Sequence, residues 1–222
     1  ITNYTANLNG KKSQTNVESV YFVNKDKKLD INLEKLVGDA LNNYDYLTFD
    51  KAEVTSQIMD FFIERIKNLF KDLGIRYDVI DAVLSSNLNS ISDIHTRAVE
   101  LNKWLQKEEL VEMLTAFNRV STLAEKAETD IVDEALLKED AEVKLNAGFK
   151  EIKAQVEGFL ANKEYNKALD AFASIKPLVD NLFDNVMIMD KDEAVKANRL
   201  GLLKQIYDTM LTICDLSKIV YK

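Results

Sequence analysis

The sequence predicts an all-α protein, a multi-helix bundle built from two helical subdomains. Its 222 residues include only six glycines and one proline, far fewer than the many turns of a β-sandwich or barrel need. From residue 29 onward, apolar residues recur at steps of three and four, which is the period of an amphipathic helix. Long helices joined by short loops are therefore expected, and an all-β fold is excluded.

The N-terminal segment, residues 1–28, lacks this helical period. It is polar and rich in Asn, Thr, Ser and Lys, and it contains one alternating stretch, residues 17–23. Such alternation is typical of a short strand, although no nearby stretch is an obvious partner for it. We therefore separate residues 1–28 as a segment that the sequence determines poorly, with a possible short strand.

The first predicted helical region covers residues 29–139. Its longest helix follows Asp50, whose carboxylate suits the N-cap position, and ends at Gly74, which suits a left-handed termination. A polar and acidic stretch at residues 127–140 then interrupts the helical pattern. This stretch is the best candidate for a boundary, so residues 29–139 are predicted to form a helical body.

The second predicted region, residues 140–222, contains four helices. They are expected at about 140–161, 164–174, 177–189 and 192–218. Pro177 fits the first turn of the third helix, because its missing amide hydrogen has no intrahelical partner there. The last helix has one apolar face with steps of three and four, made of Leu200, Leu203, Tyr207, Met210 and Cys214. We expect this face, like Trp104 earlier in the chain, to be buried.

The charge balance excludes several classes of partner. The net charge of −8 argues against non-specific attraction to nucleic acid, DNA included, or to an anionic membrane. Residues 1–139 carry 24 acidic and 17 basic side chains, whereas residues 140–222 carry 13 and 12, so the C-terminal region suits a phosphate backbone better. No apolar run reaches the roughly 18–20 residues of a membrane span.

Cysteine usage and the N-terminus indicate the compartment. The single cysteine, Cys214, excludes an internal disulfide and fits a reducing compartment. The sequence starts at Ile1 without an initiator methionine or the layout of a signal peptide. We therefore expect a cytoplasmic chain that is part of a longer protein.

No catalytic, cofactor-binding or metal-binding residue is predicted. The six glycines never lie closer together than ten residues, so a glycine-rich phosphate loop is absent from the sequence. His95 and Cys214 are single residues of their kinds and cannot assemble a zinc site of the Cys/His type. We expect a packing or surface role for His95 and a buried apolar role for Cys214.

The apolar run at residues 183–189 is one candidate for contact with RNA. Phe183 and Asn185 can stack on an unpaired base and form hydrogen bonds to it. The structural alternative is a helix that is buried on several sides.

A basic edge of the last helix is the other candidate. Arg199, together with Asn198 and Lys196, can hold a phosphate or contact the edge of a base. The structural alternative is a salt bridge from Arg199 to Asp192 or Glu193.

Several stretches of this sequence resemble one known family. Residues 183–189 read FDNVMIM, residues 197–203 read ANRLGLL, and residues 215–217 read DLS. Two further stretches lie upstream, RYDVIDAV at 76–83 and AFNRVSTL at 116–123. In order and spacing they resemble the C-terminal part of the bacterial glycyl-tRNA synthetase β subunit, over about residues 29–222.

This resemblance implies a helical anticodon-binding domain of the DALR type at about 140–222, preceded by the end of a helical body. It also implies tRNA recognition within an α/β glycine–tRNA ligase, whose aminoacylation site, with its ATP and Mg²⁺, belongs to the α subunit. The expected partners are glycine tRNA, the α subunit and the rest of the β subunit. The chain by itself is not expected to be catalytic or to hold a cofactor.

The resemblance assigns roles to the two candidate groups. Phosphate contacts are expected from cations on the C-terminal helices, namely Lys150, Lys153, Lys196 and Arg199. Base contacts are expected from Phe183, Asn185 and Asn198. The alternative function is a structural or interaction module that braces the synthetase assembly without touching RNA, with the apolar excess at 186–189 as a protein interface.

Overall fold

The computed structural model describes residues 4–8, 11–15, 32–44, 46–86, 88, 90–107 and 110–220. These residues are mainly helical, which confirms the predicted all-α class. A short antiparallel hairpin precedes the helices, in which β1 (Tyr4–Leu8) pairs with β2 (Lys11–Thr15). The strand predicted at residues 17–23 lies outside the described residues.

The helices follow the hairpin in a simple order. In the first part of the chain they are α1 (Leu33–Leu41), α2 (Lys51–Asp72), α3 (Tyr77–Leu84) and α4 (Ile91–Trp104). They continue as α5 (Leu110–Ala124), α6 (Asp140–Ala161), α7 (Tyr165–Ala173), α8 (Lys176–Asn185) and α9 (Glu193–Leu211). Short 3₁₀ turns occupy Asn42–Tyr44, Glu134–Leu136 and Leu216–Lys218.

The chain divides into two compact units, Ile1–Val99 and Glu100–Lys222. The boundary predicted from the sequence lies later in the chain, between residues 139 and 140. The two divisions differ because α5 packs against α9 and α8, so residues before 140 share a core with the C-terminal helices. We call Glu100–Lys222 the C-terminal unit.

In the first unit, local sequence signals set the helix ends. The Asp50 carboxylate accepts hydrogen bonds from the backbone N–H groups of Ala52 at 2.9 Å and Glu53 at 3.1 Å, as its predicted N-cap role requires. Gly74 ends the same helix with a φ of +79°, a conformation that glycine adopts without steric cost. Helix α2 packs against α1 and α3.

In the C-terminal unit, α9 is the central helix. It packs against α5 and α6, and residues all round its circumference are buried. Helix α6 also packs against α7 and α8. The predicted burial of Trp104 and Cys214 is confirmed, and the Trp104 indole N–H donates a hydrogen bond to Asp170 Oδ1 at 2.8 Å.

The end of α8 differs from the sequence prediction. The helix stops at Asn185 instead of continuing to residue 189, and Val186 has an extended conformation. Val186 and Ile188 are buried at 7% exposure each, whereas Met187 and Met189 are 74% and 47% exposed. This alternation is what extended backbone produces, so the prediction of a helix buried on several sides is wrong here.

The end of α9 also differs from the prediction. The helix stops at Leu211, and the chain reaches residue 218 through a turn and a 3₁₀ segment. The Asp215 carboxylate caps this segment by accepting a hydrogen bond from the Ser217 backbone N–H at 3.1 Å. Within the part of the chain that the structure describes, no helix has both the length and the apolar character that spanning a bilayer requires.

Candidate nucleic-acid interface

Arg199 is buried at the centre of the C-terminal unit, with 4% of its surface exposed. Its Nε donates to Glu142 Oε1 at 2.7 Å, and its Nη1 donates to Asp190 Oδ2 at 2.7 Å and to the Met187 carbonyl oxygen at 2.8 Å. These contacts direct the guanidinium donors inward. This internal position disfavours the predicted phosphate contact by Arg199, and its salt-bridge partners are Glu142 and Asp190 instead of Asp192 or Glu193.

Glu142 uses its carboxylate for two purposes. The side chain is fully buried, and its Oε2 accepts hydrogen bonds from the backbone N–H groups of Lys138 at 3.0 Å and Glu139 at 2.7 Å, which forms a capping box at the start of α6. Its hydrogen bond with Arg199 raises the pKa of the guanidinium above its usual value. Glu142 thus caps the N-terminus of α6 and, through its ion pair with Arg199, connects α6 to α9.

Asn198 holds the polar segment 127–139, which we call the strap. Its Oδ1 accepts from the Asp133 backbone N–H at 2.7 Å, and its Nδ2 donates to the Asp133 carbonyl oxygen at 3.1 Å. Both hydrogen-bonding groups of the amide are used, and the residue is only 4% exposed. This arrangement disfavours the predicted base contact by Asn198, because the backbone of the strap already uses the side-chain amide.

The strap continues along α9 past Gly201. A Cβ atom at this glycine would lie 2.7 Å from the Ile131 carbonyl oxygen and 3.3 Å from that of Thr129. One turn further, Gln205 Nε2 donates to the Asp130 carbonyl oxygen at 2.6 Å. Positions 198, 201 and 205 share one helix face, so they form a continuous seat for the strap.

The ion pair between Arg199 and Asp190 is expected to make the folded protein less stable as the pH falls into the acid range. A hydrogen bond from the Asp192 backbone N–H, at 3.0 Å, and the Arg199 guanidinium hold the pKa of Asp190 below its usual 3.8. A lowered folded-state pKa contributes stability above the usual value, and that contribution is lost as pH falls through the lowered value. Unfolding measured between about pH 5 and pH 2 should therefore lose stability less steeply in Asp190→Asn than in the wild type. Identical slopes would contradict this assignment.

Two of the three predicted lysines, Lys150 and Lys153, are exposed, and Lys196 is half-buried. Lys196 pairs with Glu193 on its own helix, and Lys150 pairs with Glu134 in the strap. Lys153 is exposed, and none of the described residues forms an ion pair with it. Exposed ion pairs contribute little and exchange readily, so a phosphate contact by these lysines stays a prediction.

Phe183 and Asn185 do not form one base-binding pair. They are two residues apart on α8, which places them about 200° apart around the helix. Phe183 is half-buried against α5, whereas Asn185 is exposed and donates to the Asn181 carbonyl oxygen at 2.9 Å. Asn185 also lines a polar cavity of about 250 Å³ beside Lys144 of α6. The two side chains thus belong to opposite sides of α8.

The residue that meets Phe183 is Arg119 of α5. Its guanidinium carbon lies 4.1 Å from the centroid of the Phe183 ring. Arg119 is exposed and lines an open cavity of about 380 Å³ together with Asn118, Thr122 and others on the same helix. The sequence contained one signal, because both Asn118 and Arg119 fall within the family-like stretch 116–123, but their proximity to Phe183 was not visible.

Two sequence comparisons define the class of this domain. The family model described as "DALR anticodon binding domain" matches residues 113–220, so the C-terminal helices form a DALR-type anticodon-binding domain. The model described as "Glycyl-tRNA synthetase beta subunit" matches residues 16–85. The DALR match begins at residue 113, before the predicted domain start at residue 140. The beta-subunit match begins at residue 16, before the predicted start of the resemblance at residue 29.

Individual relatives identify the family. The chain is 67% identical to the glycine–tRNA ligase beta subunit of Clostridioides difficile over 89% of the chain and 29% of the relative. It is 36% identical to those of Desulforamulus reducens and Alteromonas mediterranea, over 86% and 85% of the chain and 28% of each relative. The chain belongs to the glycyl-tRNA synthetase beta-subunit family, and it spans less than a third of the length of these relatives.

Proposed function

We propose that this chain is the tRNA-recognition part of the β subunit of an α/β glycyl-tRNA synthetase, and that its C-terminal unit binds the anticodon loop of glycine tRNA. The observation that carries the proposal is the match of residues 113–220 to a DALR anticodon-binding domain. Proteins recognise RNA sequence mainly where bases are unstacked, and an anticodon loop presents such bases. A helical unit with exposed cations and a surface aromatic suits that ligand.

Different side chains would carry the two kinds of contact. Lys150 and Lys153 are exposed on α6 and Lys196 is half-buried on α9, and all three can approach a phosphate backbone. Phe183 and Asn185 stay candidates for base contacts on separate sides of α8. Arg199 and Asn198 would have a structural role, because their hydrogen bonds hold α6, the strap and the loop before α9 together.

The chemistry of the ligase would take place elsewhere in the assembly. We propose that the α subunit supplies the aminoacylation site together with its ATP and Mg²⁺, and that this chain contributes no catalytic residue and no cofactor site. Its further partners would be the rest of the β subunit and the α subunit, in the cytoplasm. Neither a membrane nor DNA is proposed as a partner.

A binding titration tests the proposal. The α/β synthetase is titrated with glycine tRNA, with an anticodon-substituted variant and with an unrelated tRNA, at two salt concentrations. We expect tighter binding of the native anticodon at both salt concentrations, since base contacts carry sequence information and phosphate contacts do not. Equal and strongly salt-dependent binding of all three RNAs would contradict anticodon recognition.

The same titration, repeated with a variant that lacks the C-terminal unit, tests the alternative function. A module that only braces the assembly predicts that deleting the C-terminal unit disrupts subunit association and leaves the discrimination between anticodons unchanged. The exposed Met187 and Met189 would then form a protein contact. Loss of anticodon discrimination in an otherwise assembled deletion variant would contradict the bracing function.

A further inference from the structure

We infer that Arg119, backed by Phe183, and Asn118 form a seat for one unpaired nucleotide of a single-stranded RNA loop. This inference rests on the proposed function, since it assigns the anticodon contact to a particular surface. The seat joins α5 and α8, and it includes two residues that the sequence-based site did not contain.

Arg119 is a cation without an ion-pair partner among the described residues. Its side chain is exposed, and no carboxylate among the described residues forms an ion pair with it. Other cations of the C-terminal unit do pair with a carboxylate, as Lys167 does with Glu164 at 2.8 Å. A guanidinium whose charge is not compensated internally is available to a phosphate or to the edge of a base.

Phe183 holds the guanidinium in place. The guanidinium carbon lies 4.1 Å from the ring centroid, a distance at which a cation and an aromatic face attract each other. A phenyl ring carries no oxygen or nitrogen acceptor, so its contact with the guanidinium leaves the five N–H donors available to a ligand. Since Phe183 is half-buried, it forms a fixed support that reduces the entropy lost when Arg119 binds.

The adjoining cavity has the size and the polar groups for a base. It is an open groove of about 380 Å³ along α5, a volume within the range of small-ligand sites, and Leu123 supplies an apolar part of its wall. Asn118 is half-buried in this cavity, and no described residue forms a hydrogen bond with its side-chain amide. An amide offers both a donor and an acceptor, which suits the pairing edge of a base.

Two carboxylates on the same helices as Arg119 and Phe183 are partly compensated. Glu112 of α5 and Asp180 of α8 both contact Lys176 Nζ, at 3.5 Å and 2.6 Å. Asp184 adjoins Phe183 in sequence but lies about 100° round the helix from it. Arg119 therefore keeps its attraction for a phosphate.

The test is made in the complete β subunit assembled with the α subunit. We expect Arg119→Ala to weaken the binding of glycine tRNA by about 10- to 100-fold, as loss of a charge-assisted contact predicts. The affinity of Arg119→Lys for this tRNA should lie between those of the wild type and Arg119→Ala, because lysine keeps the charge and lacks the planar guanidinium. Lys167→Ala, which removes a cation from the ring of Phe159, is the matched control and should bind as the wild type does.

An anticodon-substituted tRNA separates the seat from the proposed function. We expect the wild type to prefer the native anticodon and Arg119→Ala and Asn118→Ala to lose most of that preference, with unfolding midpoints close to the wild type. If the wild type discriminates and both variants retain its affinity and preference within about twofold, the seat is wrong and the proposed function stands. If the wild type itself does not discriminate, the proposed function fails, and the seat fails with it. Should Arg119→Ala be unstable, Arg119→Lys and Asn118→Ala decide in the same way.

Discussion

Replacing Arg199 with methionine is expected to destabilise the C-terminal unit by about 3–5 kcal/mol, the usual cost of removing one partner from a buried ion pair. The change leaves the fully buried Glu142 carboxylate without its cation and the Met187 carbonyl oxygen without its donor. Chemical denaturation followed by the fluorescence of Trp104, the single tryptophan, measures this effect in the unit that contains Arg199.

A second substitution controls for the buried charge. Arg199→Met combined with Glu142→Gln removes both charges and should recover part of the lost stability, because no uncompensated carboxylate is then buried. A phosphate contact by Arg199 would instead predict that Arg199→Ala weakens tRNA binding with a flatter salt dependence and intact helicity. An unchanged unfolding midpoint together with that binding defect would contradict the structural role.

Replacing Gly201 with alanine is expected to destabilise the C-terminal unit by about 1–3 kcal/mol, the typical cost of overpacking a buried site. The new methyl group would lie 2.7 Å from the Ile131 carbonyl oxygen, and a backbone atom cannot move aside as a side-chain terminus can. The strap would have to shift, which strains the hydrogen bonds that hold it to Asn198 and Gln205. Denaturant titration of the variant measures the loss.

Gly158 of α6 is the matched control for Gly201. It also lies within a long helix, but a Cβ atom there would meet nothing within 4 Å, and the residue is exposed. Gly158→Ala should therefore stabilise the protein by up to about 1 kcal/mol, the helix-propensity gain of alanine over glycine. If Gly201→Ala stabilises the protein to the same extent, the strap does not pack against α9 as described.

Features that depend on neighbouring residues were predictable from the sequence. Asp50 caps α2 and Gly74 ends it, because each acts through backbone groups within a few residues. The end of α8 was not predictable in the same way. The run 186–189 is too short for its apolar pattern to distinguish a helical period from an extended one.

The site was less predictable than the fold, because its contacts join distant parts of the chain. Arg199 and Asn198 look like exposed polar residues in the sequence, and their partners lie 57 and 65 residues away. Burial of an arginine depends on whether a carboxylate from another helix reaches it, and no local pattern encodes that. The pairing of Arg119 with Phe183 was hidden for the same reason.

Photo-cross-linking tests the central claim most directly, namely that the C-terminal unit contacts the anticodon loop. The assembled synthetase is irradiated with glycine tRNA that carries a photoreactive nucleotide in this loop, and the cross-linked peptides are identified by mass spectrometry. We predict cross-links within residues 113–220, concentrated on α5 and α8 near Arg119 and Phe183. Cross-links that fall only outside residues 113–220 would contradict anticodon recognition by this unit.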